Sequence, residues 1–376
     1  MTNLFEKTNI KATELKNRLV RSATHEGMSD EDGSPGPSLF KLYKRLAKGG
    51  VGLLITGYAN VSKDGLSPFY RMQAIDRDEL IGKYRELVDQ VREYGVKIAM
   101  QIAHCGRQTL DDVIGTQPIA PSAVLDTSSG VMPREMTEDD IERIIEDFAQ
   151  GARRVKEAGF DAVQIHCAHG YLLSSFICPH TNRRTDQWGG TTENRVRIVR
   201  EIYSRSRVLV GDDYPILIKY SAYDNMENGL RPEEGVVVGQ MMAEMGFDCI
   251  EVSAGIFEDG GSTLGINQKG TKPLQAYNRH VAKLLKRRIN VPVMLVGGIT
   301  DPTVMGKIVK SGDADYISMC RALISEPALA RRIKEGNLEP ARCIQCNLCS
   351  FYCPTRPLHC YYGKTLKDEA SEENMR

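Results

Sequence analysis

Apolar positions recur in this chain as one repeated phrase. An amphipathic stretch ends in glycine, one or two residues follow, and a short apolar run begins. It reads Lys48-Gly49-Gly50-Val51-Gly52-Leu53-Leu54-Ile55, then Glu157-Ala158-Gly159-Phe160-Asp161-Ala162-Val163. It returns as Glu244-Met245-Gly246-Phe247-Asp248-Cys249-Ile250 and Lys310-Ser311-Gly312-Asp313-Ala314-Asp315-Tyr316-Ile317. Glycine closes a helix in the left-handed conformation, and a tight loop feeds the next strand. The pattern predicts strands near 18–23, 51–57, 96–102, 161–166, 215–220, 247–253, 291–297 and 315–320. Amphipathic segments at 77–94, 137–158, 192–210, 232–245, 275–288 and 302–311 lie between them. Short apolar strands alternating with helices are the mark of βα units around a parallel sheet.

The fold class expected is therefore α/β, a (β/α)8 TIM barrel over residues 1–336. A doubly wound sheet is the competitor, but no G-x-G-x-x-G follows the first strand. The intervals 57–76, 104–135 and 167–191, rich in Gly, Pro, Ser and Thr, each follow a strand. In a barrel such insertions sit on the catalytic face.

Strand parity then picks out polar residues. Gln101 lies opposite Ile98 and Met100, and Lys219 opposite Ile216 and Ile218. His166 falls on the other face from Val163 and Ile165, with His169 and Tyr171 on the turn beyond it. Gln101, His166 and Lys219 are thus expected inside the barrel at its carboxyl end; the bland alternative is a layer of mutually satisfied polar groups. No inward neighbour offers the lysine an anion as clearly as a bound ligand would. Strand seven ends in Val296-Gly297-Gly298-Ile299-Thr300 and strand eight in Ser318-Met319-Cys320-Arg321. Glycine backbone, a helix amino terminus after Thr300-Asp301-Pro302 and Arg321 compose a phosphate cradle where barrels commonly hold one. An ordinary glycine turn beside a surface arginine is the alternative. Together these residues suggest a mononucleotide cofactor.

Composition narrows the setting. The 376 residues carry 49 Lys+Arg and 49 Asp+Glu, so no net field draws the chain to nucleic acid or an acidic membrane. The amino terminus lacks a signal-peptide run, and no segment has the roughly 20 apolar residues of a membrane span. A soluble, cytoplasmic protein is expected. Of 10 cysteines, Cys343, Cys346, Cys349, Cys353 and Cys360 crowd together near the end. Without an export signal that clustering points to metal or iron–sulfur ligation rather than disulfides.

Several stretches share one resemblance. They are Asn17-Arg18-Leu19-Val20-Arg21-Ser22-Ala23-Thr24, Gln101-Ile102-Ala103-His104-Cys105-Gly106-Arg107 and His166-Cys167-Ala168-His169-Gly170-Tyr171-Leu172. Asn182-Arg183-Arg184-Thr185-Asp186-Gln187-Trp188-Gly189-Gly190, followed by Glu193-Asn194-Arg195, adds to them. Together they resemble the old yellow enzymes (NADH:flavin oxidoreductases), and the resemblance implies a barrel holding FMN, with Ser22, Ala23, Thr24 and Gly57 lining the flavin. It further implies that Gln101 bonds the pyrimidine edge, that Lys219 stands beside N1–C2=O, and that Gly297, Gly298 and Arg321 hold the phosphate. His166 and His169 match the pair that grips a substrate oxygen, and Tyr171 matches the proton donor. The implied reaction reduces an activated C=C bond of an enone, enoate, enoyl thioester or steroid. His25 sits where the 2,4-dienoyl-CoA reductase branch also has histidine, to contact flavin or substrate or to cap the strand. That branch's second histidine, on the loop after strand six, has no counterpart between Ala254 and Gly270.

The run Cys343-x2-Cys346-x2-Cys349-x3-Cys353-Pro354 reproduces the bacterial ferredoxin spacing. Residues 337–363 form the expected cysteine-rich segment, ahead of a charged tail at 364–376. The iron–sulfur branch, with trimethylamine dehydrogenase and 2,4-dienoyl-CoA reductase, implies a [4Fe-4S] cluster on Cys343, Cys346 and Cys349. Its fourth ligand is Cys360, with Cys353 as runner-up; structural zinc is the rival. Longer members append FAD- and NAD(P)-binding domains, which leaves two electron sources for a chain ending at Arg376. They are NAD(P)H directly, or a separate flavoprotein or ferredoxin through the cluster. Rival activities are amine dehydrogenation, which asks for an aromatic bowl around a cation, and a pure electron-transfer subunit. Substrate and any homo-oligomeric state stay open.

Overall fold

The computed structural model describes residues 2–259 and 274–363. Eight parallel strands close on themselves: β1 (Leu19–Arg21), β2 (Leu53–Asn60), β3 (Lys97–Ala103), β4 (Ala162–Cys167), β5 (Ile216–Ser221), β6 (Cys249–Ser253), β7 (Val293–Val296) and β8 (Tyr316–Met319). Each pairs with the next, and β8 returns to β1 through Ile317–Leu19 and Met319–Arg21. The helices that follow them in turn are α1 (Pro37–Lys48), α2 (Leu80–Arg92), α3 (Glu138–Glu157), α4 (Thr192–Val210), α5 (Pro232–Met245), α6 (Arg279–Lys286), α7 (Pro302–Lys310) and the short α8 (Arg321–Ser325). The architecture is a (β/α)8 barrel, as expected.

Local chemistry sets the boundaries. Thr137 caps α3 by accepting from Asp140 N while the Asp140 carboxylate accepts from Thr137 N, a reciprocal capping box. Helix α5 opens with Pro232 and closes at Gly246, whose φ of 106° only glycine adopts without strain.

Strand alternation builds two cores. Outward residues such as Ile98, Met100, Val163, Ile165, Ile216, Ile218, Ile250 and Val252 pack against the helices. Inward residues Val20, Leu53, Ile55, Ala99, Ala162, Leu217, Cys249, Met294 and Tyr316 fill the barrel's lower half. Ile10 and Leu15, from an antiparallel hairpin (Thr8–Ile10 with Thr13–Leu15), close its amino end. Each such buried aliphatic contributes roughly 1.5–3 kcal/mol. The same alternation makes the next inward layer polar, and that layer floors the site.

The cysteine-rich residues pack against the barrel's carboxyl end. Gln345 Nε2 donates to Gly298 O and Leu274 O at 2.9 Å each. Tyr70 N donates to Pro354 O at 3.0 Å, and Leu358 N to Glu26 O at 2.7 Å. The charged tail at 364–376 lies outside the described residues. So does 260–273, most of the loop after β6. No helix among the described residues is long and apolar enough to cross a membrane.

Candidate active site

Strand register brings the polar residues together. Gln101 on β3 stands level with Gln164 on β4, and Lys219 on β5 lies between His166 on β4 and Glu251 on β6. One cavity at the carboxyl end is lined by Ser22, Ala23, Thr24, Gln101, His166, His169, Tyr171, Lys219, Gly297, Gly298 and Arg321. The sequence-derived residues therefore converge, with one exception. Gly57 is not on that lining. Its amide donates to Glu26 Oε1 at 2.9 Å, and a Cβ there would meet Glu26 Oε2 at 1.8 Å. Glycine at 57 admits Glu26, which pairs with buried Arg21 at 2.7 Å.

Lys219 has an internal anion, contrary to expectation. Its Nζ lies 3.8 Å from Glu251 Oε1 and donates to Ser22 Oγ at 3.0 Å. Glu251 escapes a reading by hydropathy because one acid interrupts the apolar run Cys249-Ile250-Glu251-Val252. Its parity with inward Cys249 and Ser253 is the signal that would have found it.

At the floor of the mouth, His166 is 3% exposed, and neither ring nitrogen has a hydrogen-bond partner among the described residues. Its ring centroid lies 5.3 Å from that of His169 and 5.1 Å from that of Tyr171. The turn carrying them is tight: His169 has φ 64° and Gly170 φ 81°. His169, a non-glycine residue in the left-handed region, is held by Ser221 Oγ on its amide and Ser253 Oγ on Nε2, at 2.9 and 2.8 Å. Burial, then the charge of Lys219, pushes His169 down to about 3. Burial, His169 and Lys219 hold His166 well below the usual histidine range. Both rings are neutral at working pH, each with one N–H to donate. Burial lifts Tyr171 well above the usual phenol range, so it stays a protonated donor.

Above them runs a closed circuit of rings that sequence reasoning missed. His25, Tyr58, Tyr171, Phe257 and Phe69 touch in turn, with centroid separations from 5.3 to 6.5 Å. His25 lines the cavity while its Nε2 meets Tyr70 O at 2.8 Å, and burial pushes it down to about 4. No carboxylate among the described residues lines the cavity.

At the other end, Gly297 and Gly298 take φ 140° and 66°. The expected helix terminus is not part of this end. Asp301 fills the start of α7 with its own carboxylate, accepting from Thr303 N at 2.7 Å. The short α8 takes that place instead, and its Arg321, Ala322 and Ile324 line the cavity.

A second, smaller cavity lies beyond Arg321. Cys343, Cys346, Cys349 and Cys360 line it, Cys349 reaching the first cavity too, whereas Cys353 lines only the first cavity. Left-handed Gln345 (φ 57°) and Asn347 (φ 62°) coil the backbone between the first three cysteines. Among the described residues no three His, Cys, Asp or Glu come close enough to hold a single metal ion. A cubane spreads its thiolates around four irons, wider than one ion allows.

A model of the NADH:flavin oxidoreductase / NADH oxidase family matches residues 3–339. The chain belongs to that family. An NADH oxidase from Thermoanaerobacter brockii is 38% identical over 348 residues, 92% of this chain and 53% of the relative. Among solved structures, a 2-naphthoyl-CoA reductase in complex with 2-naphthoyl-CoA is similar with a TM-score of 0.88 and 26% identity, covering 98% of this chain and 58% of that one. A histamine dehydrogenase from Rhizobium sp. 4-9 has a TM-score of 0.82 and 27% identity, covering 92% and 50%. The chain thus spans about half the length of each. The family is one of flavin oxidoreductases, and Gln101, Lys219 and the glycine–arginine end of the cavity suit a flavin mononucleotide.

Proposed function

We propose that this protein reduces an activated C=C bond, with FMN held along Ser22–Thr24, Gln101 and Lys219 and its phosphate at Gly297, Gly298 and Arg321. Bound FMN supplies hydride at its N5 to the β-carbon of the alkene. The observation that carries the reading is His166, buried, neutral and without a partner beside His169 and Tyr171. A carbonyl, carboxylate or thioester oxygen answers both imidazole N–H groups, which stabilise the negative charge that builds there. Removing one such donor costs on the order of 100–1000-fold in kcat. Tyr171, held protonated, delivers its proton to the α-carbon, a contribution of about 100–10,000-fold.

We assign Cys343, Cys346, Cys349 and Cys360 to a [4Fe-4S] cluster, because they share one cavity and Cys353 does not. Electrons reach the site from NAD(P)H, in keeping with the family, or from a separate flavoprotein or ferredoxin.

Amine dehydrogenation has one observation in its favour, the five-ring circuit, which suits a cation. Against it stand Lys219, the imidazole pair and a lining that has no carboxylate among the described residues. Anaerobic stopped-flow spectroscopy separates the two. Photoreduced holoenzyme should be reoxidised by at least one member of a panel of enones, enoates and enoyl thioesters. Trimethylamine and histamine should leave oxidised enzyme unchanged. Rapid flavin reduction by an amine, with every alkene inert, sinks the reductase reading.

A further inference from the structure

Glu251 is fully buried and lies outside the lining of the cavity, yet it touches the polar floor from four sides. Its Oε1 accepts from Ser22 Oγ and Ser318 Oγ, both at 2.6 Å, and its Oε2 from Gln164 Nε2 at 2.9 Å. Lys219 Nζ stands 3.8 Å away. The three hydrogen-bonded neighbours all donate and the fourth is a cation, so the group accepts throughout, as a carboxylate does.

A pure acceptor fixes the direction of everything bonded to it. Because Gln164 turns its Nε2 to Glu251, its Oε1 faces Gln101 and accepts from Gln101 Nε2 at 2.7 Å. Gln101 is thereby locked in one amide orientation, with its carbonyl oxygen left to face the ligand. On the other side, Ser22 gives its proton to Glu251 and accepts from Lys219 at 3.0 Å. Polar groups from β4, β5 and β8, and Ser22 just after β1, thus converge on one acid, and Gln101 on β3 joins them through Gln164.

We propose that Glu251 is a positioning residue for the flavin and a counter-charge that holds down its potential. Through Gln164 it presents the Gln101 carbonyl to the ring N3–H. Through Lys219 it offsets the cation that would otherwise favour the anionic reduced flavin. A buried charge so close acts in a low local dielectric, where its effect is not screened by solvent. The inference rests on the FMN reading of the cavity but not on the choice of substrate.

Two variants separate the two roles. Glu251→Gln removes the charge and adds a donor, so the two-electron potential of bound FMN should move positive and FMN affinity should fall. Gln164→Met keeps the charge and breaks the relay, so FMN should bind more weakly with no positive shift of potential. Potentials from dye equilibration and affinities from flavin fluorescence quenching read both, with circular dichroism to verify folding. An unchanged or more negative potential in Glu251→Gln overturns the counter-charge. Unchanged FMN affinity in Gln164→Met overturns the relay, and does so even if Glu251→Gln fails to fold. None of these readouts involves alkene turnover, so an enzyme inert to alkenes leaves them standing.

Discussion

The Tyr171 hydroxyl donates to the Tyr58 hydroxyl at 2.9 Å, and both residues are buried. The proposed proton donor is therefore aimed by a second phenol that sequence reasoning did not single out. Tyr58 is in turn 3.5 Å from Ser67 Oγ, a longer and weaker contact. Tyr58→Phe should slow alkene-driven reoxidation by roughly tenfold through misorientation, and Tyr171→Phe by about 100–10,000-fold. Because one hydroxyl works through the other, the double variant should be little slower than Tyr171→Phe alone. Single-turnover rates for the four proteins check this; additive losses would mean independent roles.

The buried imidazoles also tie stability to pH. His166 has a folded-state pKa well below its ordinary value of 6.5. The folded chain refuses a proton that the unfolded chain accepts, so the cost of burying this ring is absent above about pH 6.5. It grows as the pH falls below that value. His25, pushed down to about 4, and His169, to about 3, act with the same sign. Asp224, pushed up to about 6 by burial, acts with the opposite sign, and is common to any pair of variants differing at 166. Urea midpoints measured from pH 7.5 to 4.5 should therefore fall less steeply for His166→Asn than for the native chain. Parallel curves would mean that His166 charges in the fold.

Much of this was legible because a barrel strand shows its two faces in alternate residues. Ile98, Met100 and Gln101 suffice to place Gln101 inside, and Ile216, Ile218 and Lys219 do the same for Lys219. Glycine-ended helices gave strand positions to within a few residues. What parity could not supply was identity across strands: Glu251 meets Lys219 only because β5 and β6 pair in that register. Tyr58 was not singled out, for a related reason. The β2–β3 ladder shifts between Ile55 and Tyr58, so alternation counted from Leu53 fails beyond the irregularity. Phe69 lies on a loop and Phe257 opens a single 3-10 turn, where no period operates.

The cysteine assignment has a direct test. Cys343, Cys346, Cys349 and Cys360 line one cavity, while Cys353 lines the other with Tyr58 and Tyr171. Protein purified anaerobically should contain iron and sulfide near four per chain. Cys353→Ala should retain both, and Cys360→Ala should lose them together with visible absorption beyond that of flavin. Loss of iron in Cys353→Ala would exchange the two cysteines, and stoichiometric zinc without sulfide would end the cluster reading.

The last prediction concerns the loop after β6, whose Phe257 forms part of the ring circuit. Its neighbour Glu258 has a fully buried side chain paired with the fully buried guanidinium of Arg107. The same carboxylate accepts from Thr127 N at 2.9 Å and Thr127 Oγ1 at 3.1 Å, and Arg107 donates on to Val124 O and Leu125 O at 3.3 and 3.2 Å. One ion pair thus binds the insertion after β3 to the loop that carries Phe257. Truncating Arg107 leaves a buried carboxylate without its counter-charge, which costs about 3–5 kcal/mol. Glu258→Gln is milder, since the amide keeps the acceptor for Thr127 and the shape of the contact. Arg107→Ala should lower the thermal midpoint sharply, while Glu258→Gln should fold and bind FMN normally. With Phe257 less firmly held, Glu258→Gln should raise KM for a planar conjugated alkene more than it lowers kcat. A loss confined to kcat would instead link the pair to the chemistry at Tyr171.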